Sequence, residues 1–503
     1  MVKEEWRGLR ELQFTEIMKA LTGPLGRWHK DNFGEMDKKI LKLEEEIKKG
    51  DGMVSNGVYD GTMEARRKAL VTCCERWYVR KEIHWKQMSR SRQAKEMDRN
   101  TRYFHHIASA RRRNNRIDAL IVNDRLVRNQ ARIKIAVREF YKDLYHQGSS
   151  PLLGFRDGLV KRIDEEEYMT LEAMHSTEEI REAVWDCESS KVPGCDGYNM
   201  NFIKRCWDKI GAEFTAFVMG FFQNPSYRQI LILYYLEGAS YEDESSDARI
   251  SRGDSECVCE GVKRSFVDIV LQKIEFGRRW RAWVMECVTT ASISVLINGS
   301  PSKPFKMERG LRQGDPLFPF LFVLVVDVLH RMVGEAVRIG RIFPLVVGRD
   351  SVELSHLQFA DDTILFYPPE NETMKNYKWL LRWFELMSGL SINYEKSSLI
   401  PINFEELWVQ HMCSLWGCKE DTLPVKYLGI PLGANPRLVK TWKPITDKVE
   451  DKLSLWKTKV LNKAGKVVLI KSVLNSLPVY YLSLYKMPKP VAKKLISLQR
   501  RFL

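Results

Sequence analysis

The amino-acid sequence predicts an α+β protein with helical regions at both ends and short strands in the middle. Residues 12–50 place apolar side chains at helical spacing between Lys and Glu, and Gly50 ends the pattern. Ser292–Gly299 alternates in polarity as a strand that enters a turn does. Leu357–Tyr367 has the pattern of two strands joined by a two-residue turn at Asp361-Asp362.

The other elements are predicted from the same two periodicities. Residues 72–108 and 131–145 favour helices, and residues 117–127 favour a short hairpin. Ser176, with Glu179 three residues later, is typical of a capped helix start at 177–187. Further helices are predicted at 202–217, 262–274, 317–333 and 371–387, and in a C-terminal region interrupted at Pro478 and Pro488.

Residues 225–261 differ from the sequence on either side. Between residues 231 and 261 there are 8 acidic and 2 basic side chains, and no clean periodicity follows the apolar run Leu231–Leu236. Such a segment cannot bury enough apolar surface to offset its chain entropy. We therefore expect a disordered or poorly packed insert.

The charge of the chain is concentrated in two basic blocks. The 503 residues carry a net charge of +15, with 18 Lys and Arg against 6 Asp and Glu in residues 76–140, and 16 against 3 in residues 431–503. This distribution indicates a polyanion bound by two surfaces, although two solvated helical faces would have the same composition. The longest apolar run, Leu317–Leu329, is shorter than the roughly 20 residues of a membrane helix, so we expect no membrane partner.

The pair Asp361-Asp362 at the predicted turn is the sharpest candidate for chemistry. Adjacent carboxylates repel each other, and a divalent cation relieves that repulsion. Cations held in this way stabilise the attacking and leaving oxygens of phosphoryl transfer. An acidic, solvent-exposed turn is the alternative interpretation of the pair.

The second candidate is the segment Gly310-Leu311-Arg312-Gln313-Gly314-Asp315-Pro316-Leu317, which we call the 310–317 loop. Its glycines permit a close approach of the backbone, and Arg312 and Gln313 offer donors to a phosphate or a base. The alternative is a helix-entry loop in which Asp315 and Pro316 mark the start of the helix.

Together with Phe359-Ala360-Asp361-Asp362, this loop resembles the reverse transcriptases of non-LTR, LINE-type retroelements, those of plants in particular. The resemblance covers roughly residues 12–224 and 262–503, and its other motifs follow in the order of that family. They are the fingers motif at 190–198, motif D at 388–397, the primer-grip motif E at 427–433, and the linker at 98–105 with the arginines after it.

The resemblance implies an RNA-directed DNA polymerase that uses Mg²⁺ and extends a 3′-OH with deoxynucleotide triphosphates. It assigns the metal to Asp361 and Asp362. Lys396 would neutralise or protonate the departing pyrophosphate, with a solvated loop lysine as the alternative. The residues that would line the template and the incoming nucleotide are Arg312, Gln313 and Gly314.

The same resemblance implies that the two basic blocks hold an RNA template and a DNA primer, through phosphate contacts that depend on salt and not on sequence. Trp77, Trp85 and Phe104 are candidates for base stacking, with core packing as the alternative. The candidate phosphate ligands are Arg111, Arg112, Arg113, Arg116 and Lys191.

The chain departs from the family pattern in the segment before Val262. The family has a longer segment there, with the rest of the fingers and motif A, whose aspartate is the third metal ligand. Counting back without gaps places Asp254 at that aspartate, but Ser255 stands where a bulky residue is expected, and residues 249–253 are polar where a strand is expected. Asp254 is therefore either a third catalytic carboxylate or a coincidence in an acid-rich insert.

We expect a right-hand polymerase remnant with incomplete fingers, a damaged palm and a partial thumb. Six segments are predicted, in chain order: a helical N-terminal segment 1–70, a basic RNA-binding linker 71–150, partial fingers 151–224, the acidic insert 225–261, a palm 262–435 and a partial helical thumb 436–503.

The expected function is reverse transcription for a non-LTR element, weakened by the loss of motif A, because two-metal catalysis needs carboxylates from both motifs. The alternative is a non-catalytic RNA- or DNA-binding remnant, and a decayed element without function is a third possibility. The family implies an intracellular, nuclear location. We expect the endonuclease of the family to be missing from this chain.

Overall fold

The apolar periodicities of the sequence become helices in the computed structural model of this chain, and its strands are short. Contacts divide the chain into two units, one of Lys3–Lys19 and Arg116–Thr422 and the other of Ala20–Asn115 and Leu423–Leu503. The structure describes residues 2–9, 12–55, 61–89, 109–110, 113, 116–122, 125–148, 151, 153–188, 198–223, 233–237, 248–249, 261–290, 292–311, 315–368, 370–453, 463–471 and 477–503.

The helices lie in chain order as follows: α1 Val2–Gly8, α2 Phe14–Phe33, α3 Met36–Ser55, α4 Gly61–Ser89, α5 Gln130–Leu144, α6 Glu165–Glu172, α7 Thr177–Asp186, α8 Met200–Gln223, α9 Arg264–Lys273, α10 Arg278–Thr289, α11 Phe318–Arg338, α12 Asn371–Ser388, α13 Glu406–Trp416, α14 Lys443–Lys452, α15 Lys463–Leu469, α16 Val479–Leu482 and α17 Lys489–Phe502. A 3₁₀ helix at Val439–Trp442 precedes α14.

The strands are β1 Leu120–Val122, β2 Arg125–Val127, β3 Leu233–Glu237, β4 Ala248–Arg249, β5 Ser292–Ile297, β6 Ser300–Pro301, β7 Phe305–Lys306, β8 Leu345–Val347, β9 Val352–Leu354, β10 His356–Phe359, β11 Asp362–Leu365, β12 Ser398–Leu399, β13 Lys419–Glu420, β14 Val425–Tyr427 and β15 Ile430–Leu432. Strand β1 pairs with β2 and β4, and β5 pairs with β3, β6 and β7. The pairs β8–β9, β10–β11 and β14–β15 are antiparallel, and β12–β13 is parallel.

The main core of the first unit lies where α9, α11 and α12 pack together. Val325 and Val328 of α11 and Tyr377 of α12 are fully buried, and Phe266 of α9 is 1% exposed. Each such side chain contributes about 1.5–3 kcal/mol through burial. This core supports β10–β11, the hairpin that carries Asp361 and Asp362.

A second core of the same unit lies under α5, between β1 and β5. Ile133 of α5, Leu120 of β1 and Ile293 of β5 are fully buried. The predicted hairpin at 117–127 and helix at 131–145 are confirmed as β1–β2 and α5.

In the second unit, α3 and α4 form an antiparallel helical hairpin. Near the start of α3, Asp37 pairs with Lys81 in the later part of α4, at 2.5 Å. Near the end of α3, Asp51 pairs with Arg67 in the early part of α4, at 2.6 Å. The C-terminal part has its own core around Trp442 and Tyr481. Its helices begin after Pro478 and Pro488, as the prolines predict.

Two predictions about local structure are wrong. Helix α3 continues through Gly50 to Ser55, because its packing against α4 outweighs the low helix propensity of two glycines. Residues 233–237, which lie in the segment expected to be disordered or poorly packed, form β3 and pair in parallel with β5 over five residues. Their apolar, aromatic sequence is compatible with a strand once a partner is present.

The capped helix start is confirmed at α7. Ser176 Oγ accepts a hydrogen bond from Glu179 N at 3.1 Å, and Glu179 Oε2 accepts one from Ser176 N at 2.7 Å. Of the helix expected at 72–108, the structure describes the part up to Ser89 as α4. None of the helices in the described part of the chain has the length and apolar content to cross a bilayer.

Candidate active site

The hairpin β10–β11 carries the two adjacent aspartates. Phe359 pairs with Asp362, so the two-residue turn consists of Ala360 and Asp361. The prediction of Asp361-Asp362 as the turn is therefore wrong by one residue. Ala360 has a φ of 53°, in the left-handed region that hairpin turns use. The turn therefore begins one position earlier than the sequence pattern suggested.

The register decides which side chains share a face of the hairpin. Residues paired directly across an antiparallel ladder lie on the same face, so Asp362 shares a face with Phe359. Gln358 lies on the opposite face, where its Nε2 donates to Val326 O of α11 at 3.2 Å. Phe359 is 63% exposed. Asp362 therefore stands on the open face of the hairpin, away from α11.

Bonds at its base fix the position of the hairpin. Ser355 O accepts hydrogen bonds from Phe366 N at 2.8 Å and from Tyr377 Oη at 2.9 Å. Tyr377 is fully buried in α12, and burial raises the pKa of its phenol, which stays a neutral donor. The two aspartates are thus presented by a short hairpin whose base is bonded to the main core.

A pair of histidines joins the hairpin to α11. Nδ1 of His330 and Nε2 of His356 lie 2.7 Å apart, and Nδ1 of His356 lies 2.9 Å from Ser355 Oγ. Burial, and then the neighbouring His330, lower the pKa of His356. Sequence reasoning missed this pair, because the two residues meet only through the packing of β10 on α11.

The 310–317 loop begins and ends in fixed positions. Gly310 adopts a φ of 85°, which favours glycine, and its N–H donates to Val262 O at 2.8 Å. Asp315 Oδ1 accepts from Leu317 N at 2.9 Å. Asp315 therefore acts as the helix-entry residue of α11, as the alternative interpretation of this loop holds. Arg312, Gln313 and Gly314 lie outside the described residues.

Lys396 lies in a turn after α12. Its backbone N–H donates to Asn393 Oδ1 at 3.0 Å, and its side chain is exposed. No hydrogen bond or ion pair between described residues links the Lys396 ammonium to the hairpin. Among the described residues, no hydrogen bond or ion pair occupies this ammonium, which is exposed to solvent.

Two of the five predicted phosphate ligands are described. Arg113 is exposed. Arg116 is also exposed, and its Nε donates to Asp118 Oδ1 at 2.7 Å. An exposed ion pair of this kind contributes little, about 0–1 kcal/mol, so a phosphate can displace the carboxylate. The other three predicted ligands, Arg111, Arg112 and Lys191, lie outside the described residues.

Trp77, one of the candidates for base stacking, is half-buried in the second unit. The Nζ of Lys39 lies 4.9 Å from its ring and the guanidinium of Arg80 lies 4.8 Å from it. Phe33 adds an edge-on contact at 6.3 Å. These neighbours favour the packing interpretation for Trp77.

The carboxylates of Asp361 and Asp362 fit a hard divalent cation. Both residues are exposed, and no ion pair or hydrogen bond occupies either carboxylate within the described part of the chain. Mg²⁺ is commonly held by one or two carboxylates together with water and substrate phosphates. The described residues contain no cluster of three His, Cys, Asp or Glu side chains able to hold a metal. Asp254 lies outside them.

The central part of the chain matches a known family. Residues 260–432 match the model described as reverse transcriptase (RNA-dependent DNA polymerase), about a third of the 503 residues. The matched range includes the hairpin, the 310–317 loop and Lys396, and it starts after Asp254.

Three relatives illustrate the similarity. The chain is 46% identical over 68 residues to an uncharacterized mitochondrial protein of Arabidopsis thaliana, which is 14% of this chain. It is 22% identical over 492 residues, covering 81% of this chain, to the uncharacterized 149 kDa protein of transposon TX1 from Xenopus laevis. It is 26% identical over 142 residues, 28% of this chain, to a retrovirus-related Pol polyprotein from the type-1 retrotransposable element R2 of Popillia japonica. The chain spans 56%, 36% and 19% of the lengths of these relatives.

Proposed function

We propose that residues 260–432 act as a reverse transcriptase domain of the non-LTR retrotransposon type, and that this chain uses it for RNA-directed DNA synthesis at a low rate. The observation that carries the proposal is the hairpin β10–β11, which presents the consecutive, exposed residues Asp361 and Asp362 within the matched range, with no partner for either carboxylate among the described residues. The substrates are an RNA template, a DNA primer and deoxynucleotide triphosphates.

Asp361 and Asp362 hold Mg²⁺ in this proposal. Bound Mg²⁺ supplies charge stabilisation for the attacking 3′ oxygen and the leaving pyrophosphate. The protein contributes the position of the two carboxylates, because the base of the hairpin is bonded to Tyr377 and Phe366. A preorganised charge needs no rearrangement during the reaction.

The remaining predicted residues act on the substrates. Arg312, Gln313 and Gly314 contact the template and the incoming nucleotide. Lys396 neutralises or protonates the pyrophosphate, which its exposed side chain, with no partner for the ammonium in the described part of the chain, allows. The order of these segments along the chain supports the assignment, since all of them lie in the matched range.

We expect a low rate because the third carboxylate ligand of the metal site is in question. If Asp254 does not serve as a ligand, loss of that ligand costs on the order of 10³-fold in rate, or about 4 kcal/mol. We accordingly propose incomplete fingers at 151–224, a damaged palm at 262–435 and a partial thumb at 436–503, in a nuclear protein.

Primer extension on an RNA template with Mg²⁺ tests the proposal. Wild-type protein should add nucleotides slowly, and the Asp361→Ala/Asp362→Ala variant should add none while it keeps its fold. Asp327→Ala is the matched control, because Asp327 is an acidic residue of the same unit that pairs with Arg331 and lies on α11. Extension that survives the double substitution would place the chemistry elsewhere.

Binding of RNA or DNA without catalysis is the second candidate function, and the surface of α17 favours it. Lys489, Lys493, Arg500 and Arg501 are exposed on this helix, while Val491, Leu495 and Phe502 are buried. A basic face of this kind binds phosphates, and its affinity falls steeply with salt. RNA binding that is salt-dependent, unaffected by Asp361→Ala and accompanied by no extension in wild-type protein would favour this candidate over polymerisation.

A further inference from the structure

The start of α9 is bonded to the segment that leads into the 310–317 loop. Val262 O accepts the hydrogen bond from Gly310 N at 2.8 Å. Two residues later, Nη1 of Arg264 donates to Met307 O at 2.5 Å and, more weakly, to Thr289 O at 3.4 Å. Residues 307–310 are therefore held at two points, by Val262 just before α9 and by Arg264, the first residue of that helix.

Arg264 has an environment that is unusual for an arginine. It is 6% exposed, in the first turn of a helix whose buried face is otherwise apolar. Burial lowers the pKa of Arg264 to about 10, so the guanidinium keeps its charge at neutral pH. Its Nε has no hydrogen-bond partner among the described residues. No carboxylate forms an ion pair with it in that part of the chain.

A buried cation of this kind does not stabilise a core. Apolar side chains of similar volume replace buried ion pairs at no cost or with a gain in stability, and an unpaired buried charge is more costly still. Stability of the unit therefore does not account for a guanidinium at this position. The hydrogen bonds to two backbone carbonyls account for it, because a charged donor makes hydrogen bonds about twice as strong as a neutral one.

A small cavity extends from Arg264 to both ends of the loop. Its volume is about 30 Å³, and its lining includes Arg264, Met307, Gly310, Leu311, Asp315 and Phe318. This volume admits one or two water molecules, which need polar partners. Arg264 Nε, which has no partner among the described residues, is such a partner, so a water in this cavity could bond to it beside Gly310 and Leu311.

We propose that Arg264 is a positioning residue of the active site, which holds the Met307 carbonyl and so fixes residues 307–311, where the 310–317 loop begins. This inference rests on the proposed function of that loop in binding the nucleotide. Arg264 touches neither substrate nor metal. It acts through the segment 307–311, and a loop displaced by about 1 Å costs about 100-fold in rate.

Arg264→Met tests this proposal, with Arg281→Met as the matched control. Arg281 lies on α10, where its Nε and Nη2 donate to Asp268 Oδ1 at 3.0 and 2.7 Å, and it makes no bond to residues 307–311. For each variant, primer extension gives KM for the nucleotide and kcat. Trypsin cleavage after the half-buried Arg309, identified by fragment mass, reports loop anchoring without any need for activity.

Arg264→Met is expected to raise KM for the nucleotide about tenfold or more, with KM for the primer–template unchanged, because it loses charged hydrogen bonds to the loop. Cleavage after Arg309 should accelerate by a similar factor, while Arg281→Met keeps the wild-type rate. Arg264→Lys, which retains one donor near Met307 O, should restore much of the difference.

Equal nucleotide KM and equal cleavage in Arg264→Met and Arg281→Met would overturn the proposal. If wild-type protein shows no extension, the proposed function fails, and the cleavage rates alone then decide whether Arg264 anchors the loop. If Arg264→Met is insoluble, Arg264→Leu, which also lacks a hydrogen-bond donor, replaces it, with the same expected and overturning results.

Discussion

The substitution Gly261→Ala tests the close contact between the backbone at Gly261 and the backbone at Gly389 and Leu390. A Cβ added at Gly261 would lie 2.6 Å from Gly389 O, 3.4 Å from Gly389 C and 3.6 Å from Leu390 Cα. All three atoms belong to the backbone, so no side chain can rotate away. Lys263 N donates to Ser388 O at 2.7 Å beside the crossing, which limits any relaxation.

The expected cost of Gly261→Ala follows from these contacts. Overpacking of a well-packed site costs about 1–3 kcal/mol. A weakened Lys263–Ser388 hydrogen bond adds about 1 kcal/mol. The lower entropy of the unfolded chain offsets about 0.4–1 kcal/mol. The net loss in the free energy of unfolding is therefore about 2 kcal/mol.

Urea unfolding followed by tryptophan fluorescence measures this loss. With a slope of about 2 kcal/mol/M, the midpoint of the first unit should fall by about 1 M. Gly334→Ala is the matched control, because Gly334 lies on α11 with open space around its Cα and should gain up to about 1 kcal/mol in helix propensity. The reasoning is refuted if Gly261→Ala unfolds at the same urea concentration as Gly334→Ala.

Two further predictions concern the support of the hairpin. Tyr377→Phe removes the hydrogen bond from Tyr377 Oη to Ser355 O and should cost about 1 kcal/mol in urea unfolding, whereas Tyr480→Phe, at an exposed tyrosine, should cost nothing measurable. Equal effects of the two variants would contradict the role of Ser355 O. The lowered pKa of His356 means that the unfolded chain binds more protons below its usual pKa near 6.5. Stability should thus be full above that pH and fall as the pH is lowered below it, and His356→Gln should flatten this dependence; an unchanged pH profile would assign the loss to other groups.

The helices that pack by one apolar face were predictable from sequence. Residues 317–333 and 371–387 have strong periodicity, and the structure places α11 and α12 there with ends that differ by a few residues. The end of α3 was not predictable, because its continuation beyond Gly50 depends on α4, which comes later in the chain. Tertiary packing, and not local propensity, decides that boundary.

The chemistry of the site was only partly readable from the sequence. The two aspartates stand out because adjacent carboxylates between apolar strands are unusual, but the turn register depends on the backbone of Ala360. Arg264 and His330 carry no motif. Their roles follow from contacts with Met307 and His356, which lie far along the chain and meet them only in the folded protein. A buried arginine in an otherwise apolar helix face was the one signal available for Arg264.

The contacts that hold the hairpin in place do not involve the third carboxylate of the expected metal site. The hairpin is held through Gln358 and Val326 on one side and through Tyr377 and Ser355 at its base, and none of these residues precedes 261. A missing third carboxylate therefore removes charge from the site without removing the contacts that place Asp361 and Asp362. Since the full catalytic rate needs all the ligands and placing the hairpin needs only these contacts, polymerisation can be weakened or lost while the fold is kept. A chain that binds RNA, keeps its hairpin and extends no primer is the state that this separation permits.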